Sequence, residues 1–229
     1  HAILFYRQML QWFGGMGIIV LAVAILPILG VGGMQLYRAE MPGPLKDNKM
    51  RPRIAETAKT LWLIYVLLTI ACALALWIAG MPAFDAIGHS FATIAIGGFS
   101  THDASVGYFN SPMIDTILIF AMATAGIHFG LIYATVTGKR NNIFRSEVTR
   151  WYLVMLLGGG LLIAVSLFAA NIYPTFSAAF HHALFQFVSL VTTTGFATAD
   201  SNQWTSFAVI LLIFGSIVCA CAGSTAGGI

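Results

Sequence analysis

Charge is what this sequence has least of. Asp, Glu, Lys and Arg together make up 8% of its 229 residues, where an ordinary soluble domain carries roughly 25%. That scarcity excludes a surface built to face water on all sides. Cysteine is sparse as well. Cys72, Cys219 and Cys221 all fall in apolar runs, an odd number without paired spacing, so no disulfide framework is legible. Cys219 and Cys221 are two apart and point to different faces of a helix, which argues against a metal clip. The opening at His1 has no positively charged region leading into a short apolar core and a cleavage site. No signal peptide is visible, and the chain is expected to be a portion of something longer.

What is abundant is apolar sequence: 59% of residues are hydrophobic and the mean hydropathy is +0.86. Five windows reach the ~20 apolar residues that span a bilayer, near 10–31, 60–80, 113–137, 151–172 and 205–222. Two further stretches, about 84–96 and 178–191, are too short to cross and carry His89, Ser90, Thr93, His181, His182, Gln186 and Ser189. Their length and polarity predict re-entrant helices, with surface helices at headgroup level as the alternative.

The few charges are informative by position. Arg38, Lys46, Lys49, Arg51, Arg53 and Lys59 cluster in one loop, and Lys139, Arg140, Arg145 and Arg150 in another. Cytoplasmic loops collect positive residues, so both loops belong inside. Both can be inside only if the two short stretches do not cross. The opposite face has Arg7 and the carboxylates Asp85, Asp103, Asp115 and Asp200. Asp103 and Asp200 are candidates for a vestibule that concentrates cations; taken singly, each reads more simply as an ordinary solvated loop or helix-cap carboxylate.

The sequence repeats with a period of 97. Gly98, Phe99, Thr101 and Asp103 fall on Gly195, Phe196, Thr198 and Asp200, and Ala125-Gly126 on Ala222-Gly223. The expected fold is an all-α integral membrane protein of repeated units, each a span, a re-entrant helix, a glycine-containing turn and a span. Residues 1–36 read as the second span of an incomplete repeat, 37–59 as a basic cytoplasmic loop and 60–137 as a complete repeat. A second basic loop follows over 138–150. Residues 151–229 form the next repeat, interrupted in its second span by glycine. Successive units lie parallel, suited to an axis along the membrane normal.

Each turn follows a short helix at membrane depth. Free backbone groups there must line water or be buried in protein, and a ring of carbonyl oxygens can replace a cation's water shell. Glycine permits the backbone angles that turn carbonyls inward. Pro27 is expected to kink the first span, and His128 to face the bundle interior as a hydrogen-bonded histidine or a proton relay.

The segments LQWFGGMGIIVLAVAILPILGVGGMQLYRAEMPGP (10–44), FDAIGHSFATIAIGGFSTHDAS (84–105), VSLVTTTGFATAD (188–200) and CAGSTAGGI (221–229) resemble the TrkH/TrkG family. These are the potassium-translocating subunits of bacterial Trk uptake systems, related to the Ktr and HKT transporters. The resemblance implies four membrane-pore-membrane repeats around one potassium-channel-like pore in the bacterial inner membrane. It implies that Ile96, Gly97, Gly98 and Phe99 form one wall of a potassium filter, and Thr193, Thr194, Gly195 and Phe196 another. Ala95-Ile96-Gly97 stand where the second wall has Thr192-Thr193-Thr194, so the first has no threonine hydroxyls there. It further implies an intramembrane gate loop at Gly223, Ser224, Thr225, Ala226, Gly227 and Gly228, with Ala226 where glycine is expected. A helix end at the cytoplasmic surface is the plainer reading of those six residues.

Potassium as the transported ion, a TrkA-type cytosolic nucleotide-binding ring, surrounding lipid and a homodimer of complete subunits also follow from the resemblance. No covalent cofactor, nucleic-acid partner or enzyme activity is expected. The rival readings are a sodium-selective or ion-coupled carrier on the same scaffold, and an intramembrane hydrolase using Ser90, His89 or the paired histidines with an aspartate.

Overall fold

The computed structural model describes residues 1–17, 54–136, 143, 146–221 and 224–226. Most of the expected first span, Pro27 and most of both basic loops lie outside these residues. Every regular element described is helical. α1 is Ala2–Trp12, continued by a wider turn over Phe13–Gly17. α2 is Ile54–Ile78, α3 Ala83–Ile94, α4 Pro112–Ala125 and α5 Phe129–Val136. α6 is Glu147–Ala169, α7 Phe176–Val191 and α8 Ser206–Val218.

Among the described residues two helices are long and apolar enough to cross a bilayer, Thr60–Ile78 within α2 and Glu147–Ala169. Both are apolar all round. Trp77 is 59% exposed and Trp151 72%, as expected of side chains facing lipid. The long helices begin earlier than the charge pattern predicts: residues 54–59 and 147–150, expected in the basic loops, are helical. Ala, Glu and Lys in 54–59 are good helix formers. At the second site Ser146 caps the helix, its hydroxyl accepting from the Thr149 amide at 3.4 Å.

The expected continuous span over 113–137 is instead broken. α4 and α5 meet at a bend of 99°, and the His128 ring caps α5 by accepting the Gly130 amide at 2.9 Å. The expected span at 205–222 likewise stops at Val218, because Cys219 takes a φ of +58°. That break comes before the glycines on which it was expected.

The two short stretches form α3 and α7, held tightly by their neighbours. α7 packs on α6 at a glycine run: a Cβ on Gly159 would sit 2.2 Å from the Phe187 ring, and one on Gly160 2.8 Å from Leu184. α1 lies against α3, with the Trp12 and Phe91 rings 5.3 Å apart. One joint recurs between units. Tyr65 on α2 donates to the Trp12 carbonyl at 2.8 Å, and Tyr152 on α6 to the Ala123 carbonyl at 3.2 Å. Each hydroxyl bonds a backbone carbonyl at the end of a regular α-helical stretch: Trp12 where α1 passes into the wider turn, and Ala123 just before the α4–α5 break, where the Ile127 amide bonds Thr124 instead.

Candidate functional site

Both re-entrant helices end in the same way. In the first turn the amides of Ala95, Ile96 and Gly97 donate to the carbonyls of Phe91, Thr93 and Ala92; in the second those of Thr192, Thr193 and Thr194 donate to Val188, Leu190 and Ser189. All six partners are related by 97. The backbone then takes positive φ at alternate residues: +56° at Ile96 and +67° at Gly98, +60° at Thr193 and +87° at Gly195. Two of these four are glycine. Ile96 and Thr193 carry branched side chains in a conformation that costs such residues of order 1–3 kcal/mol, so the surrounding bonds must hold them there.

The turns meet. A Cβ added to Gly98 would lie 1.8 Å from the Thr194 carbonyl oxygen. Gly98, Phe99 and Gly195 line one cavity of about 300 Å³, together with Arg7, Thr101, Asp103 and Ser105. Behind it, the loop that follows the first turn is tied to the second: the Gly107 amide donates to the Ala197 carbonyl at 3.1 Å, and the Ala197 amide to Ser105 Oγ at 3.1 Å.

The phenylalanine carbonyl is anchored in each turn by a different donor. Ser189 Oγ donates to the Phe196 carbonyl at 2.7 Å. Position 92 offers only alanine, and the Phe99 carbonyl is reached by Gln8 of α1. Gln11 donates to the Gly97 carbonyl at 3.2 Å and Arg7 to the Ser100 carbonyl at 2.9 Å. The Arg7 guanidinium also lies 4.7 Å from the Phe99 ring centre, a cation–π distance. This support from α1 was not legible in the sequence. Its only trace is polar Arg7, Gln8 and Gln11 on one side of an apolar helix.

Among the threonines, Thr192 and Thr194 are buried. Thr192 Oγ1 donates to the Val188 carbonyl at 2.8 Å and pairs with Thr194 Oγ1 at 2.8 Å. Their hydroxyls brace the turn, and Thr193 alone of the three is exposed. Of the two vestibule candidates, Asp103 borders the cavity, whereas Asp200 accepts the Asn202 amide at 3.0 Å and caps the short helix Ser201–Gln203.

Of the expected gate loop, Gly223, Gly227 and Gly228 lie outside the described residues. Thr225 Oγ1 donates to the Ala125 carbonyl at 3.2 Å, and the Cys221 amide to the Gly126 carbonyl at 3.2 Å. Ser224 Oγ donates to the Cys221 carbonyl at 2.7 Å, and Ala226 is buried. The segment therefore packs against the break between α4 and α5. Among the described residues no group of three His, Cys, Asp or Glu side chains is placed to hold a metal.

A span, a re-entrant helix, a turn with alternating backbone handedness and a second, broken span, present twice at one cavity, define a membrane protein of potassium-channel-like repeats. The TrkH family profile, described as cation transport protein, matches residues 1–229. The chain is 62% identical over its full length to the Trk system potassium uptake protein TrkH of Salmonella typhimurium, covering 48% of that protein. It is 41% identical to TrkG of Escherichia coli, covering 47% of it. The crystal structure of the potassium transporter TrkH from Vibrio parahaemolyticus superposes with a TM-score of 0.81 at 49% identity, over 99% of this chain and 46% of that one. This chain belongs to the TrkH family of cation transport proteins, and it spans about half the length of the curated relatives it matches.

Proposed function

We propose that this chain supplies two adjacent walls of a potassium filter through which the whole protein takes up potassium across the bacterial inner membrane. The carrying observation is positive φ at alternate residues, 96 and 98 in one turn and 193 and 195 in the other, with both turns on one cavity. In an extended chain successive carbonyls point to opposite sides. Reversing handedness at every second residue turns them to the same side, where they can replace an ion's hydration shell. The carbonyls of 96–98 and 193–195 face the ion; those of Phe99 and Phe196 are anchored from behind. A carbonyl oxygen has two lone pairs, so Gln11 at Gly97 leaves one available.

Asp103 at the mouth raises local cation concentration. Residues 223–228 form the gate, positioned through Thr225 against the α4–α5 break. A TrkA-type cytosolic nucleotide-binding ring controls that gate by docking on the basic loops, and complete subunits pair as a homodimer.

The relatives are named as transporters, and the arrangement at Ser90 does not favour a hydrolase. Ser90 Oγ donates to the Ile87 carbonyl at 2.8 Å, while His89 Nε2 faces Ser100 at 2.9 Å, so the two do not form a nucleophile–base pair. Ion flux into liposomes containing the full-length polypeptide tests the filter. Gly195→Ser is expected to reduce potassium over sodium preference, and an unaltered preference overturns the assignment.

A further inference from the structure

The segment leaving each turn is tied back to its own re-entrant helix at corresponding positions. On α3, Asp85 and His89 lie one helical turn apart on one face, and both are buried. Thr101 Oγ1 donates to Asp85 Oδ1 at 2.7 Å, and His102 Nε2 lies 3.2 Å from Asp85 Oδ2. His89 Nδ1 is 2.8 Å from the Asp85 carbonyl oxygen, which can only accept, so that nitrogen carries the proton. Nε2 of the neutral ring then accepts from the Ser100 hydroxyl at 2.9 Å.

Adding 97 to the helix positions gives bonds from α7 to the same departing segment. His182 Nδ1 is 3.2 Å from Thr198 Oγ1, the direct counterpart of Asp85 with Thr101, while Gln186, at the position of His89, donates through Nε2 to the Ala199 carbonyl at 2.6 Å, two residues beyond the counterpart of Ser100. Both helix positions have changed chemistry, Asp to His and His to Gln, yet each still bonds the departing segment. Buried polar groups that lose their partners are costly, so these bonds fix where the segment runs. Each turn is thereby held at both ends, by the helix terminus before it and by these bonds after it. The first set also touches the other wall: the His89 and Phe196 ring centres are 5.7 Å apart.

We infer that Asp85 with Thr101, and His182 with Thr198, each reinforced one helical turn on by His89 or Gln186, are positioning residues that clamp the outer ends of the two filter walls and thereby set ion preference. The inference rests on the filter reading above. None of these side chains needs to touch the ion; they act by limiting how far the carbonyls of 96–98 and 193–195 can spread around a smaller or larger cation.

The test is the potassium-to-sodium flux ratio of the full-length polypeptide in liposomes, measured beside the amount and melting temperature of folded protein. Thr101→Val and Thr198→Val keep the shape and remove the hydroxyl. Each is expected to lower the ratio about tenfold, the scale of one lost buried hydrogen bond. Thr101→Ser and Thr198→Ser should restore it. Gln186→Met removes one donor from α7 and should lower the ratio in the same direction, which keeps the test open if a Val variant does not assemble.

An unchanged ratio in the assembled variants, with flux lowered only in proportion to folded protein, overturns the clamp. Failure of the serine variants to restore the ratio also overturns it, because methyl packing would then be responsible. Gly195→Ser, run alongside, separates the two readings. If it shifts the ratio while the clamp variants do not, the clamp falls and the filter stands. If it too leaves the ratio unchanged, the filter reading falls and the clamp with it.

Discussion

The two turns have nearly the same backbone and quite different means of holding it. The second is braced largely from within its own unit, by Ser189 on the Phe196 carbonyl and by the Thr192–Thr194 hydroxyl pair. The first has alanine at position 92 and draws on the preceding unit instead, through Gln8 and Gln11 of α1. Backbone conformation in a duplicated unit is thus preserved while its supporting bonds are redistributed. What must be kept is the direction of the carbonyls, and any donor within reach can keep it.

The largest effect should come where the two turns meet. Gly98→Ala drives a methyl into the Thr194 carbonyl at a φ of +67°, adding a clash to the left-handed backbone cost of about 1–2 kcal/mol. It is expected to abolish potassium flux of the full-length polypeptide. Retained flux in a liposome assay would show that the two turns are not held this close.

A smaller contrast concerns the mouth. Asp103→Asn should slow uptake severalfold at low ionic strength, with the difference fading as salt screens the vestibule. Asp200→Asn keeps a capping oxygen and should leave flux nearly unchanged. Uptake rates measured across a salt series decide between them.

The smallest effects are expected at the joints between units, where the contrast should vanish. Tyr65→Phe and Tyr152→Phe each remove one hydroxyl from a carbonyl at the end of a regular helical stretch, and each should cost about 1 kcal/mol. Thermal melting of the detergent-solubilised protein measures this, and markedly unequal shifts would show that the two joints are not equivalent.

Much of the fold was legible because its signals are local. Apolar windows, the 97-residue period and the short polar stretches mark α2, α3, α6 and α7, and the glycine of each turn lies where positive φ is needed. The α4–α5 break was not, since 113–137 reads as one apolar run and the His128 cap on Gly130 leaves no mark on hydropathy. The gate candidates were placed by glycine content, yet the helix ends earlier, at Cys219. Asp103 and Asp200 look alike in the repeat, and only their surroundings separate a residue that borders the cavity from one that caps a short helix.

By itself the sequence determined a membrane protein of duplicated units with a non-helical turn after each short helix, because hydrophobic length and glycine placement constrain the chain one residue at a time. Tertiary structure decided that Gly98 meets Thr194, that α1 braces the first turn and that Gly159 and Gly160 admit α7. Those contacts join residues far apart in the chain, and their geometry depends on how whole helices pack, which no local periodicity records.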